Sequence, residues 1–377
     1  MSDKYIYPVI LQTYEGKEIE KILQHCEGVG GFNDIYFSSN KGVTVKVSGQ
    51  LHVVILRPIT LQEIKAFVNH MSGDGAAEGV ITGVEVDDSF DVDVPEKRNK
   101  FYRYRVNVVG YRDPREDRGL SITMRSIVGI PMSMDQLNVN QVIRDNVFPR
   151  QGMIVVAGET GSGKSTLLAS FVDHIGVSEK VGKVILTYEA PIEYVYDHIN
   201  NPRVLIMQSS VKPYGGDVKS FSQGIRNALR RSPEIILVGE SRDKETIESS
   251  VRAANTGHLC YTTTHANSTV GVFRRMVEEF PATSQRSVAY SLLASMKGCI
   301  VQYLAQKKGG GRVPVQEFLF FNKVIRERIE NAEYSEFYNE IESCVNEYGQ
   351  TMKHSIDKLL ADDLVTEEEY KHVINGI

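Results

Sequence analysis

The 377-residue chain lacks the features that mark a membrane-spanning or exported protein. No stretch reaches 18 uninterrupted apolar residues, and the most apolar candidate, residues 292–305, is broken by Lys297 and Gln302. The first residues include Asp3, Lys4 and Pro8, which do not fit the apolar region of a signal peptide. We therefore expect a cytoplasmic protein without a transmembrane segment, which another component would recruit to a membrane if it works there.

Cysteine pairs and common catalytic motifs are also missing. The four cysteines are widely scattered without a C-x-x-C spacing, which indicates reduced, structural thiols. The chain contains no H-E-x-x-H zinc motif and no G-x-S-x-G nucleophile elbow. It also lacks the N-K-x-D motif that GTPase families use to read guanine, which disfavours a GTP switch.

The charge balance does not favour nucleic acid as a partner. The formal net charge is -5, so no general basic field surrounds the chain, and direct nucleic-acid binding is not expected. The apolar share of 41% and charged share of 24% are those of an ordinary globular protein. The length predicts two or three domains, each with its own core.

The chain does contain a glycine-rich stretch, GETGSGKST at residues 158–166, that fits the phosphate-loop pattern G-x-x-x-x-G-K-[ST]. A buried-strand pattern precedes it, and apolar residues at helical spacing follow it, so a helix N-terminus is expected to face the phosphates. Glycine lets successive backbone N–H groups converge on an anion, Lys164 places a cation on the β- and γ-phosphates, and Ser165 offers a hydroxyl to Mg2+. The predicted nucleotide contacts of the loop are Gly158, Thr160, Gly161, Ser162, Gly163, Lys164, Ser165 and Thr166.

The rest of the pattern predicts an α/β protein in two parts. Residues 1–127 look like one α/β unit, in which Thr60-x-x-Glu63 forms a capping box before an amphipathic helix. A hinge follows at residues 128–136, with weakly helical sequence at 134–147. Beyond it strands and helices alternate, which indicates a largely parallel sheet. Helices are predicted at 271–280 and 284–305, a strand at 313–321, and an acidic helical tail after it.

Three predicted strands end in side chains suited to ATP hydrolysis, which requires a carboxylate that orients water and oxygen ligands near Mg2+. Glu189 and Glu193 follow the first strand, Glu240 follows the second, and His265 follows the third. The carboxyl ends of parallel strands meet at one edge of a sheet, beside the phosphate loop. Taken singly, each could be a loop residue facing water, but Gly239 before Glu240 allows a close backbone approach.

Seven arginines lie in the later part of the N-terminal unit, and Arg103 and Arg105 share one face of a predicted strand. They could form a solvated outer face of the sheet, or reach an ATP phosphate as arginine fingers do, even on a neighbouring subunit. The members are Arg98, Arg103, Arg105, Arg112, Arg115, Arg118 and Arg125.

Together these motifs resemble those of the secretion and pilus ATPases, which include PilT-like retraction motors, type II secretion ATPases and conjugation-related type IV secretion ATPases. The family's T-x-E-D-P-I-E-[YF] box is similar to TYEAPIEY at residues 187–194. Its Walker B region is similar to LRRSPE at 229–234, an apolar run, and GESRD at 239–243. Its His box is similar to TGH at 256–258 and TTHAN at 263–267, and its triglycine turn to residues 309–311.

The sequence departs from the family at three positions. Ala190 stands where E-D-P-I-E has Asp, and Ser232 and Glu234 replace the two Asp of D-P-D. Because one carboxylate near the nucleotide is missing, we expect Glu189 and Glu193 to position water or metal. The Thr-Tyr-Glu-Ala sequence resembles the DotB and plasmid-conjugation branch more than the pilus retraction branch.

The resemblance implies a homohexameric, Mg2+-dependent ATPase that serves a type IV secretion or conjugation apparatus and docks on its inner-membrane components from the cytoplasmic side. A PAS-like α+β domain (1–127) would precede a RecA-like domain (137–377, helical tail from about 332), with nucleotide between the domains. Arginines of the N-terminal domain would then reach the phosphates. The implied contacts outside the loop are Arg103, Arg105, Arg118, Arg125 and His258. The alternatives are a PilT-type retraction motor and a nucleotide-gated assembly factor with low turnover.

Overall fold

The chain forms two compact units, Met1–Gly129 and Ile130–Ile377, in a computed structural model. The structure describes residues 3–47, 49–95, 100–115, 117–127, 129–212 and 216–376. Arg98, one of the seven arginines, lies outside the described residues.

The first unit is built on a six-stranded antiparallel sheet of order β3-β2-β1-β6-β5-β4. Tyr104, Val106 and Val108 alternate along β5 and are buried, so the residues between them lie on the opposite face of the sheet. The strands are β1 (Asp34–Ser38), β2 (Lys41–Val47), β3 (Gln50–Ile59), β4 (Val86–Asp93), β5 (Phe101–Tyr111) and β6 (Gly119–Ile127). The helices are α1 (Glu18–Gly28), α2 (Leu61–Ser72) and α3 (Ala76–Ile81).

The predicted capping box at the start of α2 is present, and its glutamate also accepts hydrogen bonds from outside the helix. The Thr60 hydroxyl accepts the Glu63 N–H, and the Glu63 carboxylate accepts the Thr60 N–H. The same buried carboxylate accepts bonds from the Arg57 guanidinium and the Tyr14 N–H at 2.7 Å. Burial alone would raise the pKa of Glu63, but these donors, Arg57 foremost, hold it at about 2.

The second unit is built on a seven-stranded sheet of order β13-β12-β7-β11-β10-β8-β9, in which only β13 pairs antiparallel. The strands are β7 (Gly152–Ala157), β8 (Lys183–Glu189), β9 (Val204–Ser210), β10 (Ile235–Val238), β11 (Leu259–Thr264), β12 (Met296–Gln306) and β13 (Arg312–Phe320). The helices are α4 (Gln141–Asn146), α5 (Lys164–Ser178), α6 (Phe221–Ala228), α7 (Lys244–Asn255), α8 (Thr269–Glu278), α9 (Ala282–Ser295), α10 (Lys323–Asn331), α11 (Phe337–Tyr348), α12 (Met352–Ala361) and α13 (Glu367–Gly376).

Both faces of this sheet are covered by a hydrophobic core. Met153 and Val155 of β7 point into one cluster of buried residues, whereas Ile154 and Val156 point into another. A parallel sheet with cores on both faces explains why its strands read as continuous apolar runs. The α/β class, with a RecA-like second unit, is confirmed.

Two of the predicted helices are wrong in extent. The helix predicted at 284–305 ends at Ser295, and Met296 begins β12, which lies between β7 and β13. Because β12 is buried on both faces, its apolar sequence has no strand alternation to distinguish it from a buried helix. The helix predicted at 134–147 is limited to the six residues of α4.

All four cysteines are buried and unpaired. Burial raises the pKa of each thiol, to about 12 for Cys26 and Cys260. These thiols are therefore structural side chains rather than reactive ones. Within the described part of the chain, no helix has the length and apolar character needed to span a membrane.

Candidate functional site

The phosphate loop connects the buried strand β7 to the N-terminus of α5, as its sequence predicts. Gly163 immediately before α5 has a φ of 83°, a left-handed conformation that glycine adopts without strain. At Gly158 a Cβ would lie only 2.2 Å from the backbone oxygen of Gln302, so a larger residue would push the loop off β12. The loop therefore leaves its N–H groups and the helix N-terminus available to an anion.

Lys164 is held by the loop itself. Its Nζ donates to the backbone oxygens of Gly158 and Glu159, both at 2.8 Å. Burial lowers the pKa of Lys164, and the negative charges of Glu240, Glu193 and Glu159 partly offset this effect. A buried ammonium group surrounded by carboxylates is suited to exchange its loop carbonyls for phosphate oxygens.

The other loop hydroxyls differ in their surroundings. Ser165 is exposed at the start of α5, whereas the Thr166 hydroxyl pairs with the Tyr194 hydroxyl at 2.7 Å. Ser162 Oγ is buried without a hydrogen-bond partner among the described residues. The exposed Thr160 and Gly161 form the outer part of the loop.

The structure brings the three predicted strand ends to the same edge as the phosphate loop. The order β7-β11-β10-β8 places the loop, His265, Glu240 and Glu189 on successive neighbouring strands. Adjacent strands are spaced about 4.8 Å apart, so Glu240 follows a strand about 10 Å from the one that carries the loop. This edge is where ligands bind in open parallel sheets.

Glu240 and His265 form a direct pair at this edge. Glu240 Oε1 lies 3.6 Å from His265 Nε2, and Glu240 Oε2 lies 4.0 Å from Arg242 Nη1. The Glu240 side chain is 25% exposed and that of His265 is 49% exposed, so both are accessible to a ligand. Gly239, immediately before Glu240, packs closely against β8, because a Cβ on it would lie 3.3 Å from the backbone oxygen of Tyr188.

Glu189 and Glu193 occupy different positions after β8. Glu189 Oε1 accepts bonds from the Thr187 hydroxyl at 2.6 Å and from Gln208 Nε2 at 3.0 Å, which fix its orientation. Glu193 is half-buried and close enough to act electrostatically on Lys164. Gln208 was not predicted, since it lies on β9 and no sequence motif marks it.

His258 does not join this site. It immediately precedes β11, whereas His265 follows the same strand, and the six residues of β11 span about 20 Å. Its Nδ1 lies 3.1 Å from the backbone oxygen of Ala253 and 3.3 Å from the Thr256 hydroxyl, next to the end of α7. Within one chain, His258 thus lies at the opposite end of the strands from the phosphate loop.

Three of the four predicted arginines form a cluster on one face of the first unit's sheet. Arg105 lies directly opposite Arg125 in the β5–β6 pairing, and Arg103 is two residues along β5. Arg103 and Arg105 pair with Asp91 and Asp87. Like charges opposite each other on a sheet are unfavourable unless anions lie nearby.

Arg125 of this cluster and the separate Arg118 are both bound to other parts of the unit. Arg125 Nε donates to Asp34 Oδ1 at 2.8 Å, and the Arg125 side chain is 70% exposed. Arg118 donates to the Ile81 backbone oxygen and precedes the start of β6, seven residues from Arg125. That separation corresponds to about 23 Å along a strand, so Arg118 lies apart from the other three.

Comparison with known proteins identifies the relatives of this chain. Residues 37–309 match the family model described as type II/IV secretion system protein. The type IV pilus retraction ATPase PilT of Pseudomonas aeruginosa is 31% identical over 338 residues, which cover 90% of this chain and 93% of PilT.

Two solved structures are similar to this chain over nearly all of its length. The ATPase DotB of Legionella pneumophila has a TM-score of 0.90 at 30% identity, covering 98% of this chain and 99% of that one. The pilus retraction motor PilT with bound ADP has a TM-score of 0.79 at 30% identity, covering 94% and 96% of the two chains.

Proposed function

The chain belongs to the type II/IV secretion system protein family and is an ATPase, and from that premise we propose that it powers a type IV secretion or conjugation apparatus as a cytoplasmic homohexamer. One observation carries this assignment. It is the TYEAPIEY sequence at 187–194, which resembles the DotB and plasmid-conjugation branch. Legionella pneumophila DotB, at a TM-score of 0.90, agrees with it, whereas Yersinia pseudotuberculosis DotB and PilT both score 0.79.

In this proposal the loop binds the phosphates of ATP, and residues at the strand ends act in its hydrolysis. Lys164 and the loop N–H groups bind the phosphates, which stabilises the charge that develops as the γ-phosphate leaves. Glu240 accepts a hydrogen bond from the attacking water and orients it, while His265 donates to the γ-phosphate. Because His265 also pairs with Glu240, the state of the γ-phosphate is coupled to the position of the carboxylate.

Magnesium fits the donors present at this edge. The Ser165 hydroxyl and the carboxylates of Glu189 and Glu193 are hard oxygen ligands, which Mg2+ prefers together with substrate phosphates. When bound, the ion neutralises phosphate charge during transfer. Ser165 is the residue that would hold it directly.

Arg103, Arg105 and Arg125 are proposed phosphate contacts, and Arg118 is a weaker candidate because of its separate location. The ion pairs of the cluster do not prevent this role. The Arg105–Asp87 pair is exposed on both sides and contributes only about 0–1 kcal/mol, so exchanging Asp87 for a phosphate costs little. Docking on inner-membrane secretion components, without direct nucleic-acid binding, completes the proposal.

A genetic complementation experiment tests the secretion role. Cells that lack the gene receive either the wild-type chain or Lys164→Ala, and type IV transfer of protein or DNA is measured beside twitching motility. We expect Lys164→Ala to abolish transfer and leave pilus retraction intact. Loss of twitching with normal transfer would instead identify a retraction motor, the function of the relative PilT.

A second candidate, a nucleotide-gated assembly factor with low turnover, is favoured by Ala190. This exposed residue stands beside Glu189 where the resemblance leads us to expect Asp, so the site has one carboxylate fewer. A steady-state phosphate-release assay distinguishes the two functions. A motor releases phosphate continuously, whereas a gating factor stops after one turnover.

A further inference from the structure

The phosphate loop rests on a residue that none of its motifs contains. Gln302 lies on β12, next to β7 in the sheet, and is only 5% exposed. Its backbone oxygen closely approaches Gly158 at the start of the loop. A Cβ on Gly163, at the other end, would lie 2.9 Å from Gln302 Nε2. One residue therefore contacts both ends of the loop.

The Gln302 amide is oriented by its two hydrogen bonds. Its Nε2 donates to the Ser162 backbone oxygen at 2.6 Å, and its Oε1 accepts from Gln316 Nε2 at 2.7 Å. Reversing the amide would place oxygen against oxygen at Ser162 and nitrogen against nitrogen at Gln316. The Ser162 carbonyl can only accept, so it fixes the orientation in which Gln302 presents a donor to the loop, and Gln316 donates to the amide oxygen on the other side.

Orientation of the Ser162 carbonyl also fixes the next N–H group. In a planar trans peptide, the C=O of one residue and the N–H of the next point in opposite directions. When the Ser162 oxygen is turned towards Gln302, the Gly163 N–H is turned away from the Gln302 amide. The buried amide thereby fixes the direction of one N–H donor of the loop.

We propose that Gln302 is a positioning residue for nucleotide binding, which aims the Gly163 N–H at a phosphate through the Ser162 carbonyl. The inference rests on the proposed phosphate site and adds a residue to it. The support extends into the C-terminal helices, because Gln350 Nε2, after α11, donates to the Gln316 backbone oxygen at 2.8 Å. A residue between α11 and α12 therefore contacts the strand that carries Gln316.

The test is titration of the purified full-length chain with Mg2+·ADP by calorimetry at pH 8 and pH 5.5. In Gln302→Glu, a carboxylate replaces the donor that faces Ser162, and we expect ADP to bind at least tenfold more weakly at pH 8. Burial raises the pKa of an introduced carboxyl group, so acid converts it to an O–H donor. Relative to wild type at the same pH, the defect should shrink to below threefold at pH 5.5.

Gln302→Met provides the second variant, since it preserves the side-chain volume but cannot donate at either pH. It should bind weakly at both pH values. The matched control is Gln285→Glu, because Gln285 Nε2 also donates to a backbone oxygen, that of Phe280 at 3.0 Å, away from the loop. Thermal unfolding confirms that each titrated variant is folded.

Each outcome decides the proposal. A pH-dependent defect in Gln302→Glu, a pH-independent one in Gln302→Met and none in Gln285→Glu would support it. Wild-type-like affinity of either Gln302 variant at pH 8, or a defect in Gln302→Glu that persists at pH 5.5, would overturn it. Lys164→Ala separates this failure from failure of the phosphate site itself, because an ADP signal that survives Lys164→Ala would mean that the loop is not the binding site.

Discussion

Replacing Glu240 with glutamine separates hydrolysis from binding and from stability. The carboxylate lies 3.6 Å from His265 Nε2 and 4.0 Å from Arg242 Nη1, and both partners are exposed. Such pairs contribute about 0–1 kcal/mol, so Glu240→Gln should leave the free energy of unfolding nearly unchanged. The amide retains the shape of the side chain but no longer accepts a proton from water.

The expected loss is therefore catalytic. Removing a general base typically lowers kcat by about 100- to 10,000-fold. This range corresponds to about 3–5 kcal/mol of activation free energy, several times the effect on stability. Binding of ATP should persist, because Lys164 and the loop N–H groups are unaltered and one negative charge near the phosphates is gone.

Phosphate release at saturating Mg2+·ATP, with ATP binding measured in parallel, provides the assay. The matched control is Glu234→Gln, because Glu234 immediately precedes β10, at the opposite end of the strand from Glu240, and pairs with the Val184 N–H at 2.7 Å. We expect the control to turn over normally. Turnover of Glu240→Gln within threefold of wild type would refute the assignment of Glu240 as the hydrolytic carboxylate.

Three further predictions concern Lys164 of the phosphate loop, Ala190 after β8 and Glu63 of the first unit. Lys164→Ala should abolish detectable ATP binding or turnover; normal turnover would contradict its role. Ala190→Asp adds a carboxylate beside Glu189 and should raise kcat by about tenfold or less, measured by phosphate release; an unchanged rate would show that this position does not act on hydrolysis. The depressed folded-state pKa of Glu63, about 2 against 4.5, contributes stability that is present above pH 4.5 and lost as pH falls towards 2. Denaturant unfolding should show a loss on the order of 3 kcal/mol across that window, reduced in Glu63→Gln; an equal loss in the variant would contradict it.

Local sequence patterns predicted much of the candidate nucleotide site, which lies at the carboxyl ends of the strands beside the phosphate loop. The residue pattern of the phosphate loop specifies its turn and the helix that follows, because glycine spacing and the apolar periodicity of α5 act over short distances. The positions of Glu189, Glu240 and His265 followed from a rule of topology, that parallel strands end at one edge. Their roles stay predictions.

Features set by distant contacts could not be predicted in this way. Residues 296–305 form a strand because β7 and β13 offer hydrogen bonds on both sides, and nothing local distinguishes that stretch from a buried helix. His258 lies in the TGH sequence that resembles the family's His box, but the direction of β11 places it at the opposite end of the strands from the phosphate loop. Gln302 carries no motif, and its contact with Ser162 joins residues 140 positions apart.

The four buried cysteines have a practical consequence for measuring motion. Maleimide dyes react with exposed thiolates, and burial together with the raised thiol pKa values protects each native cysteine. A cysteine introduced on the surface of each unit should therefore be labelled selectively in the otherwise native chain. Energy transfer between two such dyes would report the distance between the units at each stage of the ATP cycle.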